Sequence, residues 1–405
     1  MDSISGLPDK LLLNVLSFLP ARDVVATMIL SKRWQPLWKM APNLIFDDDD
    51  VDDDSYWSFL GLWKVWTRAA LKRCVRNLII KTKTDISIVP IILPTSLYTG
   101  CSMLVGLELK KLVLKDVASP ISFPSLKKLW LKCVKYPGDE FVQRLLSSCP
   151  VLEGLVVKQC PDDNVTIFTI KLPSLKRLVL SKPPYYEVTD TASGFMIDTP
   201  SLERFGIYDA CQGGFCVIEN EMPNIVDADV AVVYHPGNIL SSITSVKHLF
   251  LSSRTSAKDA YPVGTVFCSL VSLVIWITHT DWFNLLLRFL KDSPNLRALK
   301  LEKLYFNKDD DEDDDVEDDD EDDDDDDRPC WSEPSSIPEC AIWSLETLEW
   351  SEYEGAEEDK QVIAFILRNA HCLKKATIST ESTEEPNKKL QMLKELSLFP
   401  RRSPT

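Results

Sequence analysis

The sequence predicts an α+β protein in three parts: a short bundle of three helices, a long irregular array of stacked strands, and a small mixed α/β unit at the end. Three observations carry that prediction. Residues 7–38 hold three brief apolar stripes at helical spacing. From residue 123 to residue 301 one short phrase built on leucine returns every 21–27 residues. A run of carboxylates, Asp309–Asp327, then separates the array from a last alternation of helix and strand patterns.

The helices come first. Pro8 suits a first helical position, because its missing N–H would be unpaired there anyway. Asp9 follows at the positive end of the helix dipole. Leu12, Val15, Leu16 and Leu19 recur at helical spacing, with Leu11 beside them, and Pro20 ends the helix. A second helix is expected from about Arg22 to Ile29, with Val24, Val25 and Met28 apolar. Ser31 is placed to cap a third, which carries Trp34, Leu37 and Trp38. Pro36 should kink or delay that third helix. Folding units of about 40 residues need disulfides, a metal or a partner to hide their apolar residues. This stretch has neither cysteine nor histidine, so a partner is expected.

The clusters Leu7-Pro8-Asp9, Leu16-Ser17-Phe18-Leu19-Pro20 and Leu30-Ser31-Lys32-Arg33-Trp34 with Leu37-Trp38 agree in order and spacing with one family. Residues 2–46 resemble an F-box of the form common in plant proteins. That resemblance implies docking onto the Skp-type adaptor of an SCF (Skp–cullin–F-box) ubiquitin ligase, and through it onto a cullin. It implies that Leu7, Pro8, Leu11, Leu12, Leu16, Leu19, Pro20, Leu30, Ser31 and Trp34 meet the adaptor or hold the surface that does.

The repeating phrase is clearest as Phe123-Pro124-Ser125-Leu126, Leu172-Pro173-Ser174-Leu175, Thr199-Pro200-Ser201-Leu202 and Ser293-Pro294-Asn295-Leu296. Aligned positions are 126, 152, 175, 202, 225, 246, 270 and 296. That period is the range of leucine-rich repeats, and L-x-x-L-x-L places its last two apolar residues on one face of a short strand. One such unit cannot hide that face, whereas stacked units form a continuous core. An irregular leucine-rich-repeat solenoid follows, with an earlier strand at Leu104–Leu109 and connecting segments that mix helix (Glu140–Ser148, Trp282–Asp292) with loop. Trp130, Val156, Val179, Tyr208, Phe250 and Trp276 are expected between the buried pairs, on the face toward the hollow, with Lys128, Arg177, Arg204 and His248 beside them. From this set Trp130, Arg177, Arg204, Tyr208, Phe250 and Trp276 are the candidate substrate-binding residues.

Beyond the acidic run come Leu345–Trp350, a helix from about Glu357 to Asn369, a strand at Cys372–Ile378 and a helix at Lys388–Phe399. Glu349-Trp350 with Tyr353-Glu354-Gly355, and Leu373-Lys374-Lys375, resemble the FBD domain that follows F-box and repeat regions in many plant proteins. The expected division is 1–46 F-box, 47–100 acidic run and helical linker leading into the first repeats, 101–306 repeats, 307–336 acidic disordered insertion, and 337–405 FBD domain.

Composition excludes several classes. The net charge of −17 resides in the acidic runs: 18 of the 19 residues from Asp309 to Asp327 are acidic, and Asp47–Asp50 with Asp52–Asp54 add seven. The remainder shows no strong basic patch, so nucleic acid is not the expected partner. No apolar run reaches the ~18 residues that span a membrane. The 11 cysteines are scattered and odd in number, and the amino terminus is not a signal peptide, which fits reduced thiols in cytoplasm or nucleus. No metal spacing, phosphate loop or nucleophile motif is present, and no cysteine stands beside an obvious activating partner. The four histidines stand alone. The sequence therefore reads as a non-catalytic receptor subunit without cofactor or metal, holding an unknown protein substrate. A second reading is a scaffold outside any ligase, whose acidic loop sequesters a basic partner.

Overall fold

The computed structural model describes residues 6–37, 40–41, 43–47, 75–82, 93, 96–118, 120–160, 164–182, 193–211, 214–233, 236–253, 260–277, 282–303, 331, 333–380 and 386–401. The acidic runs at 48–54 and 309–327, Trp38, His235 and His279 lie outside these residues. The chain divides into two units, residues 1–222 and 223–405.

The first unit opens with α1 (Asp9–Leu16). Pro8 stands one residue ahead of it, and its carbonyl accepts the N–H groups of Leu11 and Leu12 at 2.9 and 3.2 Å. α2 (Ala21–Ala26) begins directly after Pro20, whose carbonyl likewise accepts from Asp23 and Val24. A 3-10 turn at Thr27–Ile29 leads to α3 (Trp34–Leu37). Because α3 starts at Trp34, Pro36 falls in its first turn, where the missing N–H costs nothing, so the helix is delayed rather than kinked. Ser31 does not cap it with its side chain. Its buried hydroxyl has no hydrogen-bond partner among the described residues, and the Ser31 carbonyl accepts from Trp34 N–H instead. Leu12, Leu16, Val24, Trp34, Leu37 and Ala41 form the core of these helices, with Leu13 and Leu19 packed at its margin.

Strands then stack in parallel. β1 (Asn43–Asp47) and β2 (Asn77–Lys81) pair in register. The short α4 (Ser96–Gly100) precedes β3 (Gly106–Val113) and β4 (Lys128–Lys135). α5 (Asp139–Ser147) leads to β5 (Gly154–Lys158). Next come β6 (Ile167–Lys171), β7 (Arg177–Lys182), β8 (Ser193–Asp198), β9 (Arg204–Asp209) and β10 (Gly214–Ile218). The sheet order within this unit is β1-β2-β3-β4-β5-β7-β9, one strand per repeat. Leu126, Leu152, Leu175 and Leu202, the aligned positions of the phrase, are all fully buried. A second chain of backbone hydrogen bonds runs just ahead of the strands, from Lys127 to Val105, Glu153 to Lys127, Lys176 to Glu153 and Glu203 to Lys176.

The ladder thus starts ahead of residue 101, and the connecting segments hold more than helix and loop. β10-β8-β6 form a separate parallel sheet. Gly194 permits it: a Cβ there would lie 2.1 Å from the Phe215 carbonyl oxygen. Phe168 and Phe195 from this sheet, with Tyr136, pack between the two layers. The Asp139 carboxylate accepts from the N–H groups of Thr166 and Ile167, tying the start of β6 to the start of α5.

The second unit repeats the plan. β11 (Asp227–Val232), α6 (Gly237–Ser242), β12 (His248–Ser253), β13 (Ser272–Ile277), α7 (Trp282–Asp292) and β14 (Ala298–Lys303) follow in order. α8 (Glu339–Trp343), β15 (Thr347–Ser351), α9 (Glu357–Asn369), β16 (Lys375–Ile378) and α10 (Pro386–Leu398) complete it. β15 pairs with β14, and β16 with β15, in the same parallel register as the strands before them. The carboxy-terminal segment therefore extends the ladder instead of forming a sheet of its own. Leu345-x-x-Leu348-x-Trp350 is the same phrase, with all three residues buried. Trp282, Trp350 and Tyr353 stack edge to face, and Trp331 packs on Phe283 and Phe365.

Candidate functional site

The helical segment presents two apolar stripes. Leu12 and Leu16 point inward and are 0% exposed, and Trp34 joins them in the core. Leu11 and Val15, one turn apart on α1, form a second stripe that faces out, and Leu7 just ahead of the helix and Phe18 just beyond it extend the exposed apolar residues at steps of four and three. Phe18 is 82% exposed, and Ile29 in the 3-10 turn is 87% exposed, with Leu30 next to it also exposed. The ten adaptor-site candidates thus separate by position. Leu7, Pro8, Leu11 and Leu30 are on the surface; Leu19, Pro20 and Ser31 are half-buried; Leu12, Leu16 and Trp34 sit beneath. Val15, Phe18 and Ile29 are the surface members that sequence reasoning left off the set. The stripe spacing from Leu7 to Phe18 was the signal for two of them. Arg33 braces the arrangement: Nη2 lies 2.6 Å from both Asp9 Oδ1 and the Leu7 carbonyl oxygen.

The outward face of the first unit's ladder is set by register. One row aligns Glu108, Trp130, Val156, Val179 and Gly206. The next aligns Lys81, Lys110, Lys132, Lys158, Ser181 and Tyr208. Tyr208 was expected in the first of these rows, between the buried pair. Gly206 holds that position, between the buried Phe205 and Ile207, and is itself buried, with the Tyr208 ring against it from the adjoining row. Trp276 is displaced in the same way: Val274 is the register partner of Phe250, and Trp276 pairs with Ser252. Trp276 still meets Phe250 edge to face, with ring centroids 4.6 Å apart. Arg177 and Arg204 are exposed neighbours in a third row, with Lys128. The structure thus brings Phe250 to Trp276 and Arg177 to Arg204, while Trp130 stands apart on β4.

One cysteine departs from the sequence expectation. Cys133 is half-buried in a positive-φ bulge of β4 (φ 50°), beside the matching bulge at Lys111 of β3 (φ 55°). A hydrogen bond from Cys160 and the nearby charges of Lys158, Lys111 and Lys110 pull its thiol down to about 6. Burial instead pushes the Cys149 thiol up to about 11. Among the described residues no cluster of histidine, cysteine or acidic side chains has a metal-binding arrangement, and no helix is long and apolar enough to cross a membrane.

A small helical segment with an outward apolar stripe, set ahead of stacked parallel strands, is the build of a protein-binding module. The comparisons make that class specific. The F-box domain profile matches residues 4–46, and the FBD profile matches residues 333–378. The repeats of FBD-associated F-box protein At5g56370 match residues 63–229. The probable FBD-associated F-box protein At1g32375 of Arabidopsis thaliana is 48% identical over the whole of this chain and 99% of its own length. The F-box/FBD/LRR-repeat protein At5g56420 of the same plant is 40% identical, over all of this chain and 97% of its own. The chain belongs to the family of F-box proteins that carry leucine-rich repeats and an FBD domain.

Proposed function

We propose that this chain is the substrate-recognition subunit of an SCF-type ubiquitin ligase. The F-box helices dock on a Skp-type adaptor, which links the chain to a cullin. The strands form a leucine-rich-repeat solenoid whose outward face holds a protein target. The chain contributes no chemistry of its own: it raises the local concentration of target near a charged conjugating enzyme. It works in the cytoplasm, the nucleus or both, and its working parts are residues 1–46, 101–306 and 337–405, with 47–100 and 307–336 between them.

The observation that carries this reading is the outward stripe of Leu7, Leu11, Val15 and Phe18 on a segment whose own core is already complete without it. Exposed apolar area of that kind marks an interaction site. Covering a fully exposed apolar side chain is worth about 1.5–3 kcal/mol; Phe18, 82% exposed, stands near that figure, and the half-covered Leu7, Leu11 and Val15 contribute proportionately less. Co-expression with a Skp-type adaptor tests the proposal. The full chain is expected to co-purify with it at equal stoichiometry, and the Val15→Asp/Phe18→Asp chain is expected to stay folded and lose it. Retention of the adaptor by the double variant would count against docking through this stripe.

A further inference from the structure

The row Lys81, Lys110, Lys132 and Lys158 places four lysines directly opposite one another on four consecutive strands, β2 to β5. Like charges in cross-strand register destabilise a sheet. Neighbouring strands are about 4.8 Å apart, so the ladder is a line of positive charge about 15 Å long. Further cations flank it: Lys128, Arg177 and Arg204 in the row four residues earlier in the strands, Lys111 at the bulge of β3, and Lys135 beyond the bulge of β4. Acidic residues border this face: Asp47 of β1 is the register partner of Lys81, Glu153 pairs with Lys127 next to Lys128, and Glu108 reaches into the ladder itself. Glu108 Oε1 lies 3.0 Å from Lys132 Nζ and 3.9 Å from Lys81 Nζ. The Cys133 thiol is depressed first by the hydrogen bond from Cys160, and the charges of Lys158, Lys111 and Lys110 add to that shift. The face of the second unit is different in kind. Its corresponding rows run Asp229, Phe250, Val274, Lys300, Glu349 and Ala231, Ser252, Trp276, Glu302, Ser351.

A sheet that only needed solvation would alternate its charges. We propose that the lysine ladder of β2–β5 is the docking surface for an Asp/Glu-rich segment of the target protein, lying across the strands with Trp130 as its apolar contact. This rests on the receptor reading above and names the class of target. Carboxylates are favoured over nucleic acid for two reasons. The ladder consists of lysine point charges rather than the arginine forks that suit phosphate. Single-stranded nucleic acid is held by successive stacking aromatics, and the first unit's ladder shows Trp130 and Tyr208 in different rows.

The test uses the purified full chain and three fluorescent probes: a twelve-residue (Asp-Ser) repeat peptide, its (Asn-Ser) analogue and a twelve-nucleotide thymidine strand. The acidic peptide is expected to bind and the Asn peptide not, with affinity falling steeply between 50 and 300 mM salt as charges are screened. Lys110→Glu/Lys158→Glu should weaken the acidic peptide by about tenfold or more. Lys158 is exposed and Lys110 half-buried, and Lys110→Arg/Lys158→Arg should restore binding. Adaptor capture is measured alongside. Normal adaptor capture with no peptide binding, or with binding indifferent to charge reversal, would overturn the acidic-target inference and leave the receptor reading standing. Lost adaptor capture would sink the receptor reading itself. Tighter binding of the thymidine strand would assign the face to nucleic acid and overturn the inference. A chain with the acidic residues of both 47–54 and 309–327 replaced by glycine and serine closes the remaining route, since Asp47 is the register partner of Lys81. Peptide binding to that chain alone would make the protein's own acidic runs the occupant, and the proposal would fall.

Discussion

The helices at the amino terminus and the strand ladder of the first unit solve the same problem in opposite ways. Among described residues 6–41 seven large apolar side chains are exposed: Leu7, Leu11, Val15, Phe18, Ile29, Leu30 and Met40. Among described residues 75–222, a far longer stretch, only Met103, Val151, Tyr208 and Val217 are. Each strand of this ladder buries a pair of apolar residues in a core shared with its neighbours, so repetition completes it. Among its described side chains the helical segment has a core of six buried apolar residues, and it has no repeat to lean on. Their second stripe is left for something outside the chain. The difference teaches where sequence economy ends: a fold that can cover its own apolar residues does so, and one that keeps them on show is built around a contact.

Mutations sharpen that contrast. The largest loss of stability should come from the ladder core. Leu178→Ala removes a fully buried side chain between stacked repeats and should cost about 2–5 kcal/mol in denaturant unfolding. Gly194→Ala should cost about 1–3 kcal/mol, because the new methyl group meets the Phe215 carbonyl and β10 must shift. A stability loss near zero would mean that the second sheet gives way freely. Phe18→Asp behaves in the opposite sense. It should change stability by less than about 0.5 kcal/mol, since the side chain packs on little, and act only on adaptor capture. Arg33→Ala removes an exposed ion pair and should cost at most about 1 kcal/mol.

A chemical probe reads the ladder's charge. At pH 7 iodoacetamide should label Cys133 well before Cys149, because the reactive thiolate is already the main form of a group held at about 6 and a minor form of one pushed to about 11. That advantage should be lost as pH falls through about 6, where Cys133 takes up its proton. Lys110→Glu and Lys158→Glu should raise the pH at which labelling begins. A labelling profile for Cys133 unmoved by either change would show that the lysines do not set its acidity.

Much of this was legible in the residues. The eight aligned positions of the repeat phrase are all buried, and the helices at Trp282–Asp292 and Glu357–Asn369 lie where their periodicity put them. The failures are local and share a cause. β6, β8 and β10 are five or six residues long, too short for alternation to stand out from loop, and their pairing depends on Gly194, whose role shows only when β10 is in place. Tyr208 and Trp276 lie one row from their expected places because the small residues Gly206 and Val274 hold the register there. The continuation of the ladder through Leu345–Trp350 shows only in the pairing of β15 with β14, which joins segments far apart in the sequence. On the helices, spacing identified the apolar residues but not which stripe faced inward. That choice depends on Trp34 and Leu37, more than fifteen residues further along.

Titrating a purified Skp-type adaptor into the full chain and into its Phe18→Asp variant, with the fold of both checked by circular dichroism, is the most direct trial. Docking through the outward stripe predicts one-to-one binding by the natural chain and a loss of about 100-fold in the variant at unchanged helicity, about 2.7 kcal/mol for one covered aromatic ring. Equal affinity for both chains, or none for either, would contradict it.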